Sequence, residues 1–221
     1  MGNVFRFDLV FRYFGYLAEG LKNTILVSVL ALGIGLVIGV FIAMLRLTNK
    51  RVLDVPLSIY VDVFRSVPQL AVLFFFFYAI PIVTGIQVHP IISVAVALGL
   101  LCGAGTSEIF RGGILSIELG QWEAAYAIGM TRMQAYVRIV LPQAVVRMLP
   151  PLVSASISMF KASALASAVG VTDLMWQADN LTLFIIRRSE VFTVVAAMYF
   201  ALTYPQALMA NYLHKRLLTA D

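Results

Sequence analysis

Charged residues are absent from long stretches of this chain, and the lengths of these stretches predict helices that cross a membrane. Residues 23–45 contain no Asp, Glu, Lys or Arg, and about 20 apolar residues are enough for one helix to cross the hydrocarbon core of a bilayer. The uncharged stretch at residues 66–107 is about twice that length, and Pro81, Gly85 and Pro90 interrupt it. It therefore predicts two helices joined by a loop. Residues 191–214 predict the last span.

The stretch at residues 143–171 is apolar as well, but it contains Arg147, a Pro150–Pro151 pair and Lys161. Its many Ala and Ser residues are typical of a helix that packs closely against other helices or lines a path through the protein. We therefore predict one all-α transmembrane domain, residues 1–221, with five spans at about residues 23–45, 57–81, 90–110, 147–170 and 191–213.

The Lys and Arg residues in the short loops orient these spans, because they favour the cytoplasmic side of a membrane. They are concentrated in the first loop, in the loop at residues 111–147 and in the C-terminal tail, whereas the loop at residues 81–89 has none. An odd number of spans then places the N-terminus outside and the C-terminus in the cytoplasm. The aromatic-rich segment Val4–Leu17 suits a helix that lies along the membrane interface.

The composition agrees with a membrane protein: 61% of the 221 residues are hydrophobic and 12% are charged, whereas soluble domains have roughly 45–50% and about 25%. The formal charge of +5 follows from the membrane topology, so we predict no nucleic-acid partner. The one cysteine, Cys102, excludes an intramolecular disulfide and a cysteine metal cluster. Neither histidine has metal-ligand neighbours, and no catalytic cluster lies near either interface. We therefore predict no metal site and no catalytic residue.

The composition of the loop at about residues 116–142 is typical of ordered helices and not of a linker. Glu123, Ala124 and Ala125 begin a short helix with an acid in its first turn, where the helix dipole favours it, and Gly129 suits a left-handed cap at its end. The sequence from Thr131 to Gln134 has the spacing of a capping box, which opens a second helix. The pattern predicts two short helices that meet at a glycine.

These residues resemble a known family. Glu123-Ala124-Ala125, Gly129, Ile139 and Leu141-Pro142 have the spacing of the EAA loop of ABC-importer permeases, and we call residues 116–142 the EAA loop. Two further segments are similar to the polar amino-acid branch of that family, Phe64-Arg65-Ser66-Val67-Pro68 and Glu108-Ile109-Phe110-Arg111-Gly112-Gly113-Ile114. The resemblance covers essentially the whole chain.

The resemblance implies a type I importer with the MetI-like permease fold, in the bacterial inner (cytoplasmic) membrane. In such an importer two permease subunits, as a homodimer or a heterodimer, form a path that opens alternately to each side. Two ABC ATPase subunits power it, and an extracytoplasmic binding protein delivers a polar amino acid. The family's coupling helix corresponds here to Glu123, Ala124, Ala125 and Gly129, which would contact the ATPase. The chain has no G-x-x-x-x-G-K-[ST] motif, so ATP and Mg²⁺ are expected in the ATPase and no cofactor is expected in this chain.

Three residues are candidates for the substrate path. Lys161 lies near the middle of the fourth span, where it either attracts a substrate carboxylate or pairs with a neighbouring helix or subunit. Glu108 either contacts a substrate amino group or forms an ion pair with Arg111. Ser163 belongs to a segment, residues 161–165, that resembles a K-D/N-[ST]-S-L segment of the family, although Ala162 replaces the acid or amide. Asp62 and Arg65 are expected to pair with each other.

The alternative function is an ion-coupled secondary transporter or a channel subunit, either of which works without an ATPase. Such proteins are expected to show internal inverted repeats and discontinuous helices, and we find no such repeat in the sequence. A membrane-embedded enzyme is a weaker alternative, because the chain has no catalytic cluster.

Overall fold

The computed structural model describes residues 6–218, with side chains through residue 216, and within this range the regular structure is entirely helical. The prediction of an all-α membrane protein is confirmed. The elements are α1 (Phe7–Arg12), α2 (Phe14–Arg46), α3 (Arg51–Ser66), α4 (Gln69–Phe74), α5 (Ile80–Thr84), α6 (Pro90–Leu115), α7 (Leu119–Ala127), α8 (Arg132–Ala135), α9 (Leu141–Ala162), α10 (Leu174–Ile185) and α11 (Arg188–Leu218). Short π-helical or 3₁₀ segments follow α4, α8 and α9 at Phe75–Ala79, Tyr136–Val140 and Ser163–Val169.

Four helices of the described range are long and apolar enough to cross a membrane. They are Phe14–Arg46, Pro90–Leu115, Arg132–Val169 and Arg188–Arg216. The second predicted span is not one continuous helix, because the segments Arg51–Ser66 and Gln69–Thr84 are bent by 108° relative to each other. The cause is Pro68, which lacks an N–H group and holds the preceding residue in an extended conformation, φ −81° and ψ 137°.

The helices α2 and α6 pack side by side and run parallel. Gly35 of α2 lies beside Cys102 of α6, and Gly39 of α2 lies beside Thr106 of α6. The chain leaves α2 at one end of the pair and enters α6 at the other. The connection α3–α5 must therefore carry the chain back across the bundle. With the bent pair counted as one span, the described residues contain five helical segments that are long and apolar enough to cross a membrane.

Glycines allow the close approach of α2 and α6. A Cβ atom added at Gly39 would lie 2.1 Å from Thr106 Oγ1, and one at Gly99 would lie 2.6 Å from Ile34 Cγ2. The buried Thr106 hydroxyl donates across the contact to the carbonyl oxygen of Gly35, at 2.9 Å. A side chain larger than hydrogen at these glycines would separate the helices.

The second helix of the EAA loop is not short, contrary to the sequence prediction. From Arg132 the chain remains helical through α8, the π-helical turn and α9, and this rod of 38 residues, here called the α8–α9 rod, ends at Val169. Pro142 occupies the first turn of the α9 segment, directly after the wide π-helical turn. A proline has no N–H group to donate the hydrogen bond of a regular helix. Because Pro142 lies directly after the π-helical turn, the helix continues past it. The second part of the EAA loop and the fourth span are therefore one continuous helix.

The N-terminal aromatic segment packs against the bundle and does not only lie along the interface. Within it, Val10 and Leu17 are fully buried in a cluster with residues of α10 and α11. Phe11 is 61% exposed, which leaves one face of α1 for the membrane interface. Val4 and Phe5, which the sequence prediction also included, lie outside the described residues.

A buried carboxylate caps α10 in the connection between the last two long helices. Asp173 is 0% exposed, and its Oδ1 accepts a hydrogen bond of 2.8 Å from the backbone N–H of Trp176. Its Oδ2 and the nearby Gln177 Oε1 have no hydrogen-bond partner among the described residues. Burial, together with the negative charge of Asp179, raises the pKa of Asp173 from 3.8 to about 7.

This buried acid makes the stability of the protein depend on pH. Between the unfolded pKa near 3.8 and the folded pKa of about 7, the folded state keeps a proton that the unfolded state releases. The free energy of unfolding therefore decreases as the pH rises through this range. The variant Asp173→Asn keeps a capping side chain and removes the titration. We expect it to melt several degrees above the unmodified protein near neutral pH and above, and to lose that advantage in acid.

Thermal unfolding in nanodiscs at a series of pH values measures this effect. The control variant is Asp8→Asn, because the exposed Asp8 pairs with Arg6 and has a lowered pKa. A difference in melting temperature between Asp173→Asn and the unmodified protein that stays the same at every pH would contradict the raised pKa of Asp173.

Candidate functional site

A helix–turn–helix corner forms the exposed part of the EAA loop. The helix α7 ends in a left-handed turn at Gly129, whose φ is +82°. The N–H of Gly129 donates to Tyr126 O at 2.9 Å and that of Met130 donates to Ala125 O at 3.1 Å, so the turn satisfies carbonyl groups at the end of the helix. The predicted left-handed glycine is therefore present, and glycine adopts this conformation without the strain that a side chain adds.

The corner is closed on its other side by the predicted capping box. The backbone N–H of Thr131 donates to Gln134 Oε1 at 2.9 Å, and the N–H of Gln134 donates to Thr131 Oγ1 at 3.4 Å. These two bonds satisfy N–H groups at the start of α8. The corner therefore has a fixed shape that its own local sequence determines.

The structure divides the four predicted coupling residues into two groups. Glu123, Ala124 and Gly129 are exposed on the corner, so they are available to a docked protein. Ala125 is 3% exposed and packs within its own chain, and its contact with the ATPase stays a prediction. The small side chain of Ala125 allows α7 to pack closely on its own chain.

Side chains tie the corner to the long helices. The ring of Trp122 on α7 stacks on Tyr136 at the start of the α8–α9 rod, with a centroid distance of 6.4 Å and an angle of 29°. Gln143 donates to Gln121 at 3.2 Å. Arg147 donates to the carbonyl oxygen of Ser116, between α6 and α7. The helix α7 is thus held against the rod, and Arg147 ties the rod to the end of α6.

An ion network joins the ends of α2, α3 and α6 next to this corner. Glu108 Oε2 accepts from Arg111 Nη2 at 2.7 Å, and Glu108 Oε1 accepts from Arg46 Nη1. Arg46 Nε also donates to Asp54 Oδ1 at 2.9 Å. The side chains of Arg46 and Glu108 are 12% and 23% exposed, so water screens the network weakly.

The ion pair of Glu108 with Arg111, one of the two alternatives for this residue, is present in the structure. Each carboxylate oxygen of Glu108 accepts one hydrogen bond from an arginine. A contact of Glu108 with substrate stays a prediction. Arg46 and Asp54 belong to the network but were not predicted, because their contact with Glu108 depends on the packing of α2 against α6.

The other two candidate path residues differ in exposure. Lys161 is exposed on α9, on the same face as the exposed Ser154 and Ser158. It has no ion-pair partner among the described residues. Ser163 is 0% exposed and its hydroxyl donates to Phe160 O at 2.8 Å, so it lines no path in this conformation.

The predicted pair of Asp62 and Arg65 is not formed. Both side chains are exposed on α3, and neither takes part in an ion pair within the part of the chain that the structure describes. Exposed charges three residues apart gain little from pairing when water solvates both of them.

Comparison with known proteins agrees with this geometry. The family described as binding-protein-dependent transport system inner membrane component matches residues 35–219. The chain is 35% identical over 210 residues to a probable glutamine ABC transporter permease protein, GlnM, of Bacillus subtilis (strain 168), covering 95% of this chain and 97% of that protein. It is 33% identical over 219 residues to the L-cystine transport system permease protein TcyB of the same organism, covering 98% and 93%.

Two solved structures are also similar. The crystal structure of an amino acid ABC transporter with histidines matches with a TM-score of 0.90 and 30% identity, covering 97% of this chain and 100% of that chain. An inward-facing structure of the MetNI methionine ABC transporter matches with a TM-score of 0.72 and 20% identity, covering 91% and 98%. The second likeness shows the fold alone.

The ion network predicts a structural role for Glu108. Replacing it by Gln removes the carboxylate that neutralises Arg46 and Arg111, and the loss of one partner from a partly buried ion pair is expected to lower the free energy of unfolding by about 1–3 kcal/mol. A double-mutant cycle with Arg46→Gln should give a coupling energy of at least about 1 kcal/mol. The control is Asp62→Asn, whose exposed carboxylate forms no described ion pair. A Glu108→Gln variant with unchanged stability and impaired uptake would instead assign Glu108 to the substrate.

Proposed function

This chain belongs to the family of binding-protein-dependent transport system inner membrane components, and we propose that its cargo is a polar amino acid or a close analogue, moved by alternating access. It is a permease subunit of an ATP-driven importer and not an enzyme, since ATP is hydrolysed by a separate ATPase subunit. The amino-acid cargo is supported by the relatives, whose names specify glutamine and L-cystine. It is also supported by the amino acid ABC transporter that shares the fold at 30% identity.

The exposed corner of the EAA loop is the observation that carries the coupling mechanism. Ala124 and Gly129 are small and exposed on the corner beside the exposed Glu123, so a cleft of the ATPase can approach the backbone closely there. The opposite side of α7 stacks on the rod through Trp122 and Tyr136. Closure of the ATPase dimer then moves the corner and the α8–α9 rod together, and the rod carries this movement into the membrane.

Ser154, Ser158 and Lys161 form an exposed polar face on α9, far along the α8–α9 rod from the corner. This face supports a substrate path at that position. A charged side chain at the middle of a bilayer costs about 2.5–3.5 kcal/mol unless it faces water or a polar partner. Lys161, Ser154 and Ser158 therefore face a polar path between this chain and a second permease subunit, either another copy or a related chain. In this arrangement the ammonium group of Lys161 attracts the carboxylate of the amino acid.

The proposed orientation has the N-terminus outside and the C-terminus in the cytoplasm. Arg46 at the end of α2 contacts Glu108 near the end of α6, so both helices end on the side that carries the EAA loop. The concentration of Lys and Arg on that side supports its assignment to the cytoplasm. The ATPase then docks there, and the binding protein docks at the opposite end.

The corner predicts that a bulky residue at Gly129 uncouples the transporter. Valine at φ +82° is strained by about 1–2 kcal/mol, so the variant Gly129→Val should change the shape of the corner. We expect normal membrane insertion, continued ATP hydrolysis and a loss of most ATP-driven uptake in proteoliposomes that contain the ATPase and the binding protein. The control is Gly85→Val, which has a similar φ of +70° at the other end of the bundle. Wild-type uptake and substrate-stimulated ATPase activity in Gly129→Val would refute the lever.

The exposed lysine predicts a charge requirement in the path. Replacing Lys161 by Met keeps the length of the side chain and removes the ammonium group, which should reduce amino-acid uptake about tenfold, equivalent to about 1.4 kcal/mol. Lys161→Arg keeps the positive charge, so it serves as the matched control and should retain most activity. Both variants should still bind the ATPase. Full uptake by Lys161→Met, measured with a panel of radiolabelled amino acids, would remove Lys161 from the path.

A further inference from the structure

A cavity of about 610 Å³ lies between the EAA loop and the ends of α2 and α6. Three arginines line it, Arg46 from α2, Arg111 from α6 and Arg132 from the first turn of the rod. Trp122 and Tyr136 form an aromatic wall. Nothing in the coupling mechanism requires an open space at this position, and its lining suits a ligand with both an anionic and an apolar part.

The charges around the cavity do not balance. Arg46 and Arg111 are neutralised by Asp54 and Glu108. Arg132 has no carboxylate partner among the described residues, so one positive charge in the cavity is not balanced. The buried Arg111 Nε also has no hydrogen-bond acceptor in the described part of the chain. Guanidinium groups in this state favour an anion with several acceptor oxygens, such as a phosphate group.

The rim of the cavity is apolar. Leu115, Leu119 and Met133 all line it and are 60%, 77% and 70% exposed. Arg46 and Arg111 lie near the ends of two membrane-spanning helices, so the cavity lies at the depth of the lipid head groups. An anionic centre with an apolar rim at this depth matches a phospholipid, whose phosphate and acyl chains need these two surfaces.

The coupling face of α7 does not compete for the cavity. Leu119 and Trp122 line it, whereas the coupling residues Glu123 and Ala124 do not. On a helix, Ala124 lies roughly opposite both Leu119 and Trp122. An ATPase on the exposed corner therefore leaves the cavity side of α7 available.

We propose that this cavity binds the phosphate group of an anionic phospholipid, with Arg132 as the principal unpaired cation and the apolar rim in contact with the acyl chains. A bound lipid would fill the space behind the EAA loop and connect its position to the composition of the membrane. The proposal depends on the placement of the chain in a bilayer and not on the identity of the transported substrate.

The experiment uses the assembled transporter, exchanged into mixed detergent micelles with phosphatidylglycerol or phosphatidylcholine, and counts retained lipids by native mass spectrometry. We expect preferential retention of phosphatidylglycerol by the unmodified complex and an affinity about tenfold lower for the variant Arg132→Glu. An acid is favourable in the first turn of a helix, so this variant should fold. The control is Arg138→Glu, an equal charge change at an exposed arginine of the same rod that does not line the cavity.

The other outcomes would overturn the proposal. Equal retention of phosphatidylglycerol by the Arg132→Glu and Arg138→Glu complexes would remove the cavity as the lipid site. Displacement of the lipid by millimolar inorganic phosphate would assign the arginines to a free anion. Loss of the ATPase from the Arg132→Glu complex, with lipid retention unchanged, would assign the cavity to the protein partner. Transport is measured separately, so a failure of this proposal leaves the proposed function standing.

Discussion

The close parallel contact of α2 and α6 is the constraint on which the rest of the structure depends. Glycines on both helices let the backbones approach, and the buried Thr106 hydroxyl bonds across the contact to Gly35. Because the two helices run in register, Arg46 at the end of one meets Glu108 near the end of the other. The contact thus creates the ion network, and it also requires α3–α5 to cross the bundle in the opposite direction.

The ion network and the EAA loop together form one mechanical unit. The network fixes the ends of α2, α3 and α6, and Arg147 of the rod bonds to Ser116 at the junction of α6 and α7. The helix α7 stacks on the same rod, which contains the second part of the EAA loop and the fourth span. One continuous helix therefore connects the exposed corner to the apolar part of the chain.

Local signals in the sequence predicted local structure well. The left-handed Gly129, the capping box and the Glu108–Arg111 pair each depend on residues a few positions apart, so spacing alone reveals them. The sequence could not reveal the contacts of Arg46 and Asp54, because these depend on how two distant helices pack. For the same reason it misjudged the continuity of two helices, at the bend at Val67–Pro68 and at the helix that continues through Pro142.

The α2–α6 contact holds the ion network in place. The coupling energy between Arg46 and Glu108, measured by double-mutant cycles in two backgrounds, tests this dependence most directly. A Cβ atom at Gly39 would collide with Thr106, whereas one at Gly33 meets no atom within 4 Å. We predict that the coupling energy persists in the Gly33→Leu background and disappears in the Gly39→Leu background. An undiminished coupling energy in the Gly39→Leu background would contradict this dependence.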